Sequence, residues 1–484
     1  MDAASVESTP RTVDKRWQSL LVLCLGVLMI VVDATVVNVA LPSIRADLKF
    51  TQSSLVWVVN AYGLTYGGLL LTAGRLGDLL GRRKLFILGN ALFTVASLAC
   101  GLAHSQALLI AARATQGVGG AVVVAVSAAL IMAMFENGAE RARAMSIYSF
   151  ICAGGGSIGL LLGGAFTSEL NWHWIFLINL PIGILVTAFC FLRLPSDEVP
   201  AVTQSVDVWG AIIIMVAATL AIEAVIHGGE VPRNSGVSLT LLICAAVTFA
   251  LFLRIESRVS VPLLPLSVFK YHNLTIANIV GALWASGVSG WLFIATLYMQ
   301  LVLGYQPLQV GLAFLPANLI MAVFAVGFSA KLVTRIGAKR SLAIGLLLVT
   351  MGLALFACVN PHRHTLMYLL LSMLLMGLGT GIAYTPLVLV AVSTLPPAQS
   401  GLASGIFNTT CVLGAAVGLS LLANFSTTSR NELLASGTLM PEALAGGYAA
   451  ALLLGALCTG AAAVLSVVSL KPTLHLASHA DSSE

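Results

Sequence analysis

Apolar runs of about 20 residues recur along almost the whole chain, separated by short polar segments. A helix of this length crosses the hydrocarbon core of a bilayer and satisfies its own backbone hydrogen bonds there. Only 9% of the residues are charged and the mean hydropathy is +0.98, a balance that excludes a soluble globular domain. A membrane β-barrel would instead show short segments of alternating polarity. The sequence therefore predicts an all-α membrane protein embedded in the lipid bilayer.

The apolar runs predict fourteen transmembrane spans joined by short loops. Their predicted limits are 19–41, 55–74, 85–103, 107–132, 144–167, 174–194, 208–227, 237–255, 275–303, 310–332, 341–359, 366–392, 403–424 and 446–469. In this arrangement 18 of the 24 Lys and Arg residues fall on one side of the membrane. Because basic loops are retained on the cytoplasmic side, we expect a multi-pass protein of the inner (cytoplasmic) membrane with both termini in the cytoplasm.

An internal repeat relates two parts of the chain. The segment GRLGDLLGRRKLFILG (74–89) aligns without gaps with AKLVTRIGAKRSLAIG (330–345), so that Gly81 meets Gly337. Spans 1–6 therefore correspond to spans 9–14, an arrangement typical of secondary transporters with a site between two halves. The predicted regions are an N-terminal tail (1–18), a first six-helix bundle (19–194), a linker with two extra spans (195–274), a second six-helix bundle (275–470) and a C-terminal tail (471–484).

The stretch GRLGDLLGRRK (74–84) is the densest charge cluster between two apolar runs. It predicts a tight polar loop at the cytoplasmic membrane face, in which glycines allow two helix ends to approach closely. We expect this loop to gate transport rather than to bind substrate. The residues that we assign to the gate are Gly74, Asp78, Gly81, Arg82 and Arg83. The alternative is a basic loop that only fixes the orientation of the protein in the membrane.

Two charged residues are predicted to lie inside spans of the first half. Asp33 falls near the middle of span 1, and Arg113 is embedded in span 4. Charges at such depth are costly and are typically functional and paired with one another. The pattern predicts a proton-coupling pair. The alternatives are a permanent structural ion pair, or an Arg113 side chain satisfied by backbone carbonyls and Gln116.

Glycines and aromatic residues supply two further sets of candidates. Gly155, Gly159 and Gly163 form a stripe on span 5 that predicts close contact with another helix. Trp284 and Trp291, seven residues apart on span 9, offer flat surfaces for an aromatic or cationic substrate. A core or lipid-facing stripe is the alternative for the two tryptophans. The residues that we assign to a substrate cavity are Asp33, Gln116, Trp284, Trp291 and Tyr298.

Several of these segments resemble signatures of one transporter family. GRLGDLLGRRK (74–84) resembles the loop signature of the major facilitator superfamily, apart from Leu79, and RATQGVGG (113–120) resembles its fourth-span motif. VVDATVVNVALP (31–42) and WHWIFLINLPIG (172–183) resemble segments of its fourteen-span drug:proton antiporters. The resemblance implies the major facilitator fold, with two six-helix bundles and two inserted helices.

The same resemblance implies roles for single residues. It links Arg113 to proton coupling, and the glycine stripe of span 5 to an antiporter motif. Leu160 occupies the position at which that motif has proline, so the bend that proline would favour is not implied here.

Taken with the resemblance, the residues predict a proton-coupled multidrug efflux antiporter. It would be a monomer that exports lipophilic cationic or neutral small molecules by alternating access. The proton gradient would supply the energy, without a cofactor or metal. The net charge of +5 lies in short loops and does not indicate a nucleic-acid partner, and no enzymatic motif is present. The alternatives are an exporter dedicated to one endogenous metabolite, peptide or lipid, and a non-transporting membrane sensor or partner-binding protein.

Overall fold

The computed structural model describes residues 15–135, 138–194, 207–230, 236–259, 262, 264–359, 365–395 and 400–471. Regular structure in these residues is helical throughout. Fourteen helices follow one another: α1 Lys15–Leu48, α2 Val56–Leu80, α3 Arg82–Gly101, α4 Gln106–Met134, α5 Gly138–Glu169, α6 Trp174–Arg193, α7 Val208–Glu230, α8 Gly236–Glu256, α9 His272–Leu301, α10 from Pro307–Val323 onward, α11 Ala338–Ala357, α12 Thr365–Val392, α13 Ser400–Ala435 and α14 Met440–Ser469.

Each helix overlaps one predicted span, so the fourteen predicted helices are present in the described residues. Thirteen of the helices are long and apolar enough to cross a membrane. The tenth differs because its regular part, Pro307–Val323, passes into a π-helical turn at Phe324–Phe328 before it ends with Ser329–Ile336. Such turns interrupt the regular hydrogen-bond ladder without ending the helix.

The predicted polar loop at 74–84 is wrong in its extent, because most of this stretch is helical. Gly74 and Asp78 lie on the last turns of α2, and α3 begins at Arg82. Only Gly81 connects the two helices, with a φ of 93°. A side chain would disfavour this backbone conformation. Gly337 repeats the same connection between α10 and α11 with a φ of 86°.

Close glycine contacts hold corresponding helices together in the two halves. A Cβ atom on Gly159 of α5 would lie 2.7 Å from the Val32 carbonyl oxygen of α1. In the second half, a Cβ on Gly414 of α13 would lie 2.7 Å from the Cα of Ala282 on α9. Gly155 and Gly163 of α5 face α1 in the same way as Gly159. The sequence repeat is thus also a repeat of helix packing.

The two helices between the halves form an antiparallel pair that contacts both of them. Met215 of α7 fills the space beside Gly68 of α2. On the other side, the Asn424 side chain of α13 donates a hydrogen bond to the Val225 carbonyl of α7. Helix α8 packs on α7 and leaves most of its apolar surface exposed. Helix α7 therefore covers one seam between the halves.

The two ends of the bundle differ in how the halves meet. We call the end at which α1 passes into α2 the Lys49 face, and the opposite end the Gly81 face. At the Lys49 face, Gln300 of α9 donates to the Val39 carbonyl (2.8 Å), and Arg430 of α13 donates to Gln52 (2.9 Å). The Leu308 amide of α10 donates to the Ser168 hydroxyl of α5 at 3.1 Å. These bonds close the halves against each other.

At the Gly81 face, Asp78, Arg82 and Arg83 bond within the first half, and Lys339 bonds within the second. Asp78 accepts from Arg82 at 2.8 Å, and Arg83 donates to the Phe191 carbonyl at 3.0 Å. In the second half, Lys339 donates to the Leu470 carbonyl at 2.8 Å. Farther into the bundle α2 and α13 stay in contact, since Thr409 donates to the Gly67 carbonyl at 3.0 Å.

We expect Gly159→Ala to lower the thermal stability of the protein. The added methyl group would collide with the Val32 backbone, and overpacking of this kind costs about 1–3 kcal/mol. Gly154→Ala is the matched control on the same helix, because a Cβ there meets nothing within 4 Å. The melting temperature of the purified protein in detergent measures both. Equal melting temperatures for the two variants would contradict the packing described for α5 and α1.

Candidate functional site

The two charges predicted inside the first half meet in its core. The Asp33 side chain on α1 is 0% exposed and the Arg113 side chain on α4 is 1% exposed. Nη1 of Arg113 lies 2.6 Å from Oδ2 of Asp33. Charge-assisted hydrogen bonds are short and strong in such a dry surrounding. The predicted pairing of the two residues is thus present in the structure.

Three polar side chains from other helices complete the surroundings of the carboxylate. Oδ1 of Asp33 accepts from the amides of Gln116 (2.8 Å) and of Asn179 (2.7 Å). Gln116 also accepts from Arg113 at 2.8 Å and donates to the Ser97 hydroxyl at 2.8 Å. The pair is therefore fixed by α1, α3, α4 and α6 together, all within the first half.

Arg113 has two further kinds of partner. Its Nε donates to the Val58 carbonyl of α2 at 3.0 Å. The guanidinium carbon lies 4.3 Å from the centre of the Tyr62 ring and 5.7 Å from that of Phe176, positions at which a cation is attracted by the ring face. Carbonyl, amide, aromatic and carboxylate contacts thus share this one cation.

This geometry matches an ionised carboxylate. Each Asp33 oxygen accepts from N–H groups, and a carboxylate has only acceptors to offer. A protonated Asp33 would have to donate, so at least one neighbour would need to present an acceptor instead. The Asn179 side chain can do so by turning its amide, which places its carbonyl oxygen towards Asp33. Proton uptake at this site therefore requires a local rearrangement of hydrogen bonds.

An aromatic stack leads from the ion pair towards the space between the halves. Tyr62, beneath Arg113, stacks on Tyr66 one turn along α2, with ring centres 5.8 Å apart. The hydroxyl of Tyr62 is buried without a hydrogen-bond partner among the described residues. Gly120 of α4 makes room for the stack, because a Cβ there would lie 3.2 Å from that hydroxyl.

Beyond Tyr66, side chains of both halves lie near one another, and we call the region between them the inter-half cavity. Tyr66 and Cys152 lie within electrostatic range of Tyr384 on α12, although they belong to opposite halves. Tyr384 is 44% exposed, so its ring borders open space. The residues that we place around this cavity are Tyr66, Tyr148 and Cys152 of the first half, and Trp284, Tyr384 and Cys411 of the second. None of these six side chains is charged at neutral pH.

The residues predicted to form one cavity are divided among three places. Asp33 and Gln116 are enclosed in the first half, and Trp284 lies at the inter-half cavity, where its ring centre is 6.0 Å from that of Tyr384. Trp291 packs edge-on against Phe314 at 5.1 Å. Tyr298 is in the core of the second half, where its hydroxyl donates to the Val359 carbonyl at 2.6 Å.

Sequence reasoning missed four residues of the site and its surroundings. Ser97, Asn179 and Tyr62 contact the ion pair directly or through Gln116, and Tyr66 extends the stack. Asn179 lies in the segment WHWIFLINLPIG, whose polar residue inside an apolar run was an available signal. Ser97 and the two tyrosines gave no such signal, because hydroxyl side chains occur on many faces of membrane helices.

Comparison with known proteins identifies relatives along most of the chain. The sequence profile described as Major Facilitator Superfamily matches residues 23–419. Puromycin resistance protein pur8 of Streptomyces alboniger is 34% identical over 435 residues, which are 90% of this chain and 86% of that protein. Multidrug resistance protein Stp of Mycobacterium tuberculosis is 36% identical over 404 residues, 82% of this chain and 73% of that protein.

A solved structure shares the fold. It is the crystal structure of a bacterial homolog of the human lysosomal transporter Spinster in an inward-facing and unoccupied conformation. The TM-score is 0.68, with coverage of 95% of this chain and 97% of that chain. At 16% sequence identity, the likeness concerns the arrangement of the helices.

We expect a large stability loss when either member of the buried pair is removed alone. Asp33→Ala leaves Arg113 uncompensated in the core, and Arg113→Ala does the same to Asp33, at a cost of about 3–5 kcal/mol each. The double variant should lose much less than the sum of the two, as a double-mutant cycle of melting temperatures would show.

The exposed pair Asp78–Arg82 is the matched control for this cycle. Its N–O distance of 2.8 Å is similar, but its side chains are 56% and 35% exposed. A coupling of about 0–1 kcal/mol is expected there. Additive losses at Asp33 and Arg113 would contradict the paired site.

Proposed function

The chain belongs to the major facilitator superfamily, a family of membrane transporters and not of enzymes, and we propose that it is a proton-coupled multidrug exporter that works by alternating access. The observation that carries this proposal is the buried Asp33–Arg113 pair, joined by the Tyr62–Tyr66 stack to a cavity between the halves. Ionisable residues at this depth are costly and typically mark ion pathways or proton relays. The names of pur8 and Stp, which refer to puromycin and multidrug resistance, support export of drug-like compounds.

The residues at the inter-half cavity favour lipophilic substrates. Aromatic rings and thiols surround it, and none of the six side chains assigned to it carries a charge. Trp284, Tyr66 and Tyr384 offer faces for aromatic compounds or for a monovalent cation. We therefore propose neutral or singly cationic lipophilic small molecules as substrates. Trp291 and Tyr298 then support the wall from the core of the second half.

The Gly81 face is proposed to lie in the cytoplasm of a cell whose inner membrane holds the protein. The density of Lys and Arg at this face supports the orientation. Since the halves are closed at the Lys49 face, the conformation would be inward-facing. Substrate would enter the cavity from the cytoplasm and leave at the Lys49 face after the halves rock.

Proton transfer at Asp33 is proposed to drive this rocking. In the outward-open state water reaches Asp33, which takes a proton and separates from Arg113. The neutral acid tolerates the dry occluded state on the way inward, because protonation removes the cost of burying its charge. In the inward state Asp33 loses the proton and pairs with Arg113 again, which is the arrangement of the present structure.

The Tyr62–Tyr66 stack is proposed to couple the substrate to this proton. Asp33 is fully buried, so a substrate in the cavity would contact Tyr66 rather than the carboxylate. Tyr66 stacks on Tyr62, whose ring lies beneath the Arg113 guanidinium. A substrate that orders the stack would hold Arg113 against Asp33 and so favour the ionised acid. Substrate binding and proton release would therefore be coupled through the position of the Arg113 side chain.

The gate at the Gly81 face is proposed to close in the outward-facing state. In the present structure Asp78 bonds to Arg82 of its own half, at the turn fixed by Gly81. When the halves meet at this face, Asp78 would exchange that partner for a cation or a helix N-terminus of the second half. Gly74 and Arg83 would hold the ends of α2 and α3 during this exchange. The gate acts on the cycle and lies apart from the proposed substrate cavity.

The regions predicted from the repeat supply the moving parts of this proposal. The bundles 19–194 and 275–470 would move as two bodies, with the helix pair of region 195–274 beside the α2–α13 seam. Each chain has its own Asp33–Arg113 pair and its own cavity, so a monomer would suffice, powered by the proton gradient without a cofactor.

A dedicated exporter of one metabolite, peptide or lipid is the second candidate function. A drug-susceptibility profile of a deletion strain would distinguish it from a multidrug exporter. A non-transporting sensor is the third, and reconstituted transport would exclude it.

We expect Asp33→Asn to abolish uphill efflux driven by a pH gradient in proteoliposomes. Asn is neutral like the protonated acid but releases no proton, so the cycle loses its driving step. Downhill exchange of a neutral substrate should persist. Tetraphenylphosphonium, a permanent cation, is a suitable probe for uphill efflux. Puromycin, an amine that also has a neutral form, is a suitable probe for downhill exchange.

Glu223→Gln is the matched control for this experiment. Glu223 lies on α7, outside the site, and its side chain is 35% exposed beside His227 at 3.3 Å. Its transport should stay near that of the wild type. Uphill export by Asp33→Asn with proton counterflow would show that Asp33 is structural.

We expect both termini to be protected from impermeant thiol reagents in intact cells. Single cysteines at Ser8 and Ser482, which lie outside the described residues, would test this on a cysteine-free background. Ser436→Cys on the exposed α13–α14 turn of the Lys49 face is the positive control and should react. Reaction at either terminus would contradict the proposed orientation.

A further inference from the structure

Two buried carboxyl groups meet at the Gly81 face, away from the Asp33 site. Asp207 precedes α7 and is 6% exposed, and Glu256 ends α8 and is 3% exposed. The two side chains are within hydrogen-bonding range of each other. They thus close the ends of the helix pair that lies between the two halves.

Each carboxyl group has one oxygen satisfied and one left over. Oδ1 of Asp207 accepts from the Gly210 amide at 2.8 Å, and Oε2 of Glu256 accepts from the Leu264 amide at 3.0 Å. Oδ2 of Asp207 and Oε1 of Glu256 are buried without a donor among the described residues. A Cβ atom at Gly210 would lie under 3.0 Å from both of these oxygens, so the two unsatisfied atoms face the same small space.

A single proton satisfies both oxygens at once. Two ionised carboxylates at this separation repel each other, and each would keep an acceptor buried without a donor. A proton on one oxygen turns it into a donor to the other, as in carboxyl pairs that share a proton. The shared proton leaves one negative charge on the pair.

One cation lies within range to balance that charge. Arg75 of α2 interacts electrostatically with Glu256, and its Nη2 donates to the Pro262 carbonyl at 3.0 Å. The other elements around α7 and α8 bring few charges. Helix α13 has none before Arg430, and the remaining cations on α8 and on the segment leading to α9 are Arg254, Arg258 and Lys270.

We propose that Asp207 and Glu256 form a second proton-binding site, in which one shared proton fixes the ends of α7 and α8 against α2. The site responds to the pH of the compartment at the Gly81 face. As pH rises and the proton leaves, the two carboxylates repel each other, whereas the bond from the Leu264 amide to the ionised Glu256 and the attraction of Arg75 become stronger. Because Arg75 belongs to the stretch 74–84, loss of the proton also changes the electrostatic support of the proposed gate. The site itself does not depend on the exporter function.

Infrared titration of the purified full-length protein tests for the shared proton. An Asp33→Asn parent removes from the spectrum the other acid that is buried among the described residues. We expect a band of a protonated carboxyl group between about pH 6 and 8, where free Asp and Glu are ionised. Asp207→Asn and Glu256→Gln should each abolish this band, and Glu223→Gln, on the same helix pair, should leave it unchanged.

Absence of the band in the parent, or its survival in either Asp207→Asn or Glu256→Gln, would overturn the shared-proton site. If the Asp33→Asn parent does not fold, the same substitutions in the wild type give difference spectra with the same expected loss.

Hydrogen exchange supplies an independent readout. Protection of a peptide that contains the Leu264 amide, corrected for the intrinsic pH dependence of exchange, should rise with pH in the wild type and in Glu223→Gln, because the bond to an ionised Glu256 is stronger. It should become independent of pH in Glu256→Gln. An unchanged pH profile in Glu256→Gln would contradict the proposal.

Discussion

A buried ion pair in a medium without water is the constraint on which the first half depends. Asp33 and Arg113 meet at 2.6 Å with almost no exposed surface, and burial of either charge in this core without the other would cost several kcal/mol. The pair therefore dictates which polar groups surround it. Gln116, Asn179 and Ser97 come from three further positions to satisfy it. A change in the protonation of Asp33 thus affects a hydrogen-bond network that joins four helices. A proton-driven rearrangement requires such a network.

The two halves share their packing but not their charge. Gly81 and Gly337 make the same turn, and close glycine contacts join α5 to α1 as they join α13 to α9. Position 113 corresponds by the repeat to Met373, which is buried in the second half. The second half therefore contributes aromatic and apolar walls such as Trp284 and Tyr384, while the first half contributes the titratable pair. This asymmetry fits a transporter in which one half binds and releases the proton and both halves contact the substrate.

The sequence allowed the fourteen helices and the Asp33–Arg113 pair to be predicted, because charges and their absence are strong signals in a membrane. It did not allow the faces of the helices to be predicted. Trp284 packs beside Tyr384, whereas Trp291, seven residues later, packs on Phe314 in a different core cluster. Apolar residues suit lipid, core and cavity equally well, so their periodicity does not distinguish these surroundings. The loop predicted at 74–84 was wrong because one glycine with positive φ was enough to reverse the chain.

The central claim is that substrate and proton are linked through Asp33. Proton release on substrate binding tests it most directly, measured with a pH-sensitive dye in weakly buffered detergent solution. On addition of tetraphenylphosphonium, a permanent cation that carries no titratable proton, the wild type should release protons in proportion to the substrate bound. Asp33→Asn should release none. Equal proton release from Asp33→Asn and the wild type would contradict the account, since the proton would then come from another site.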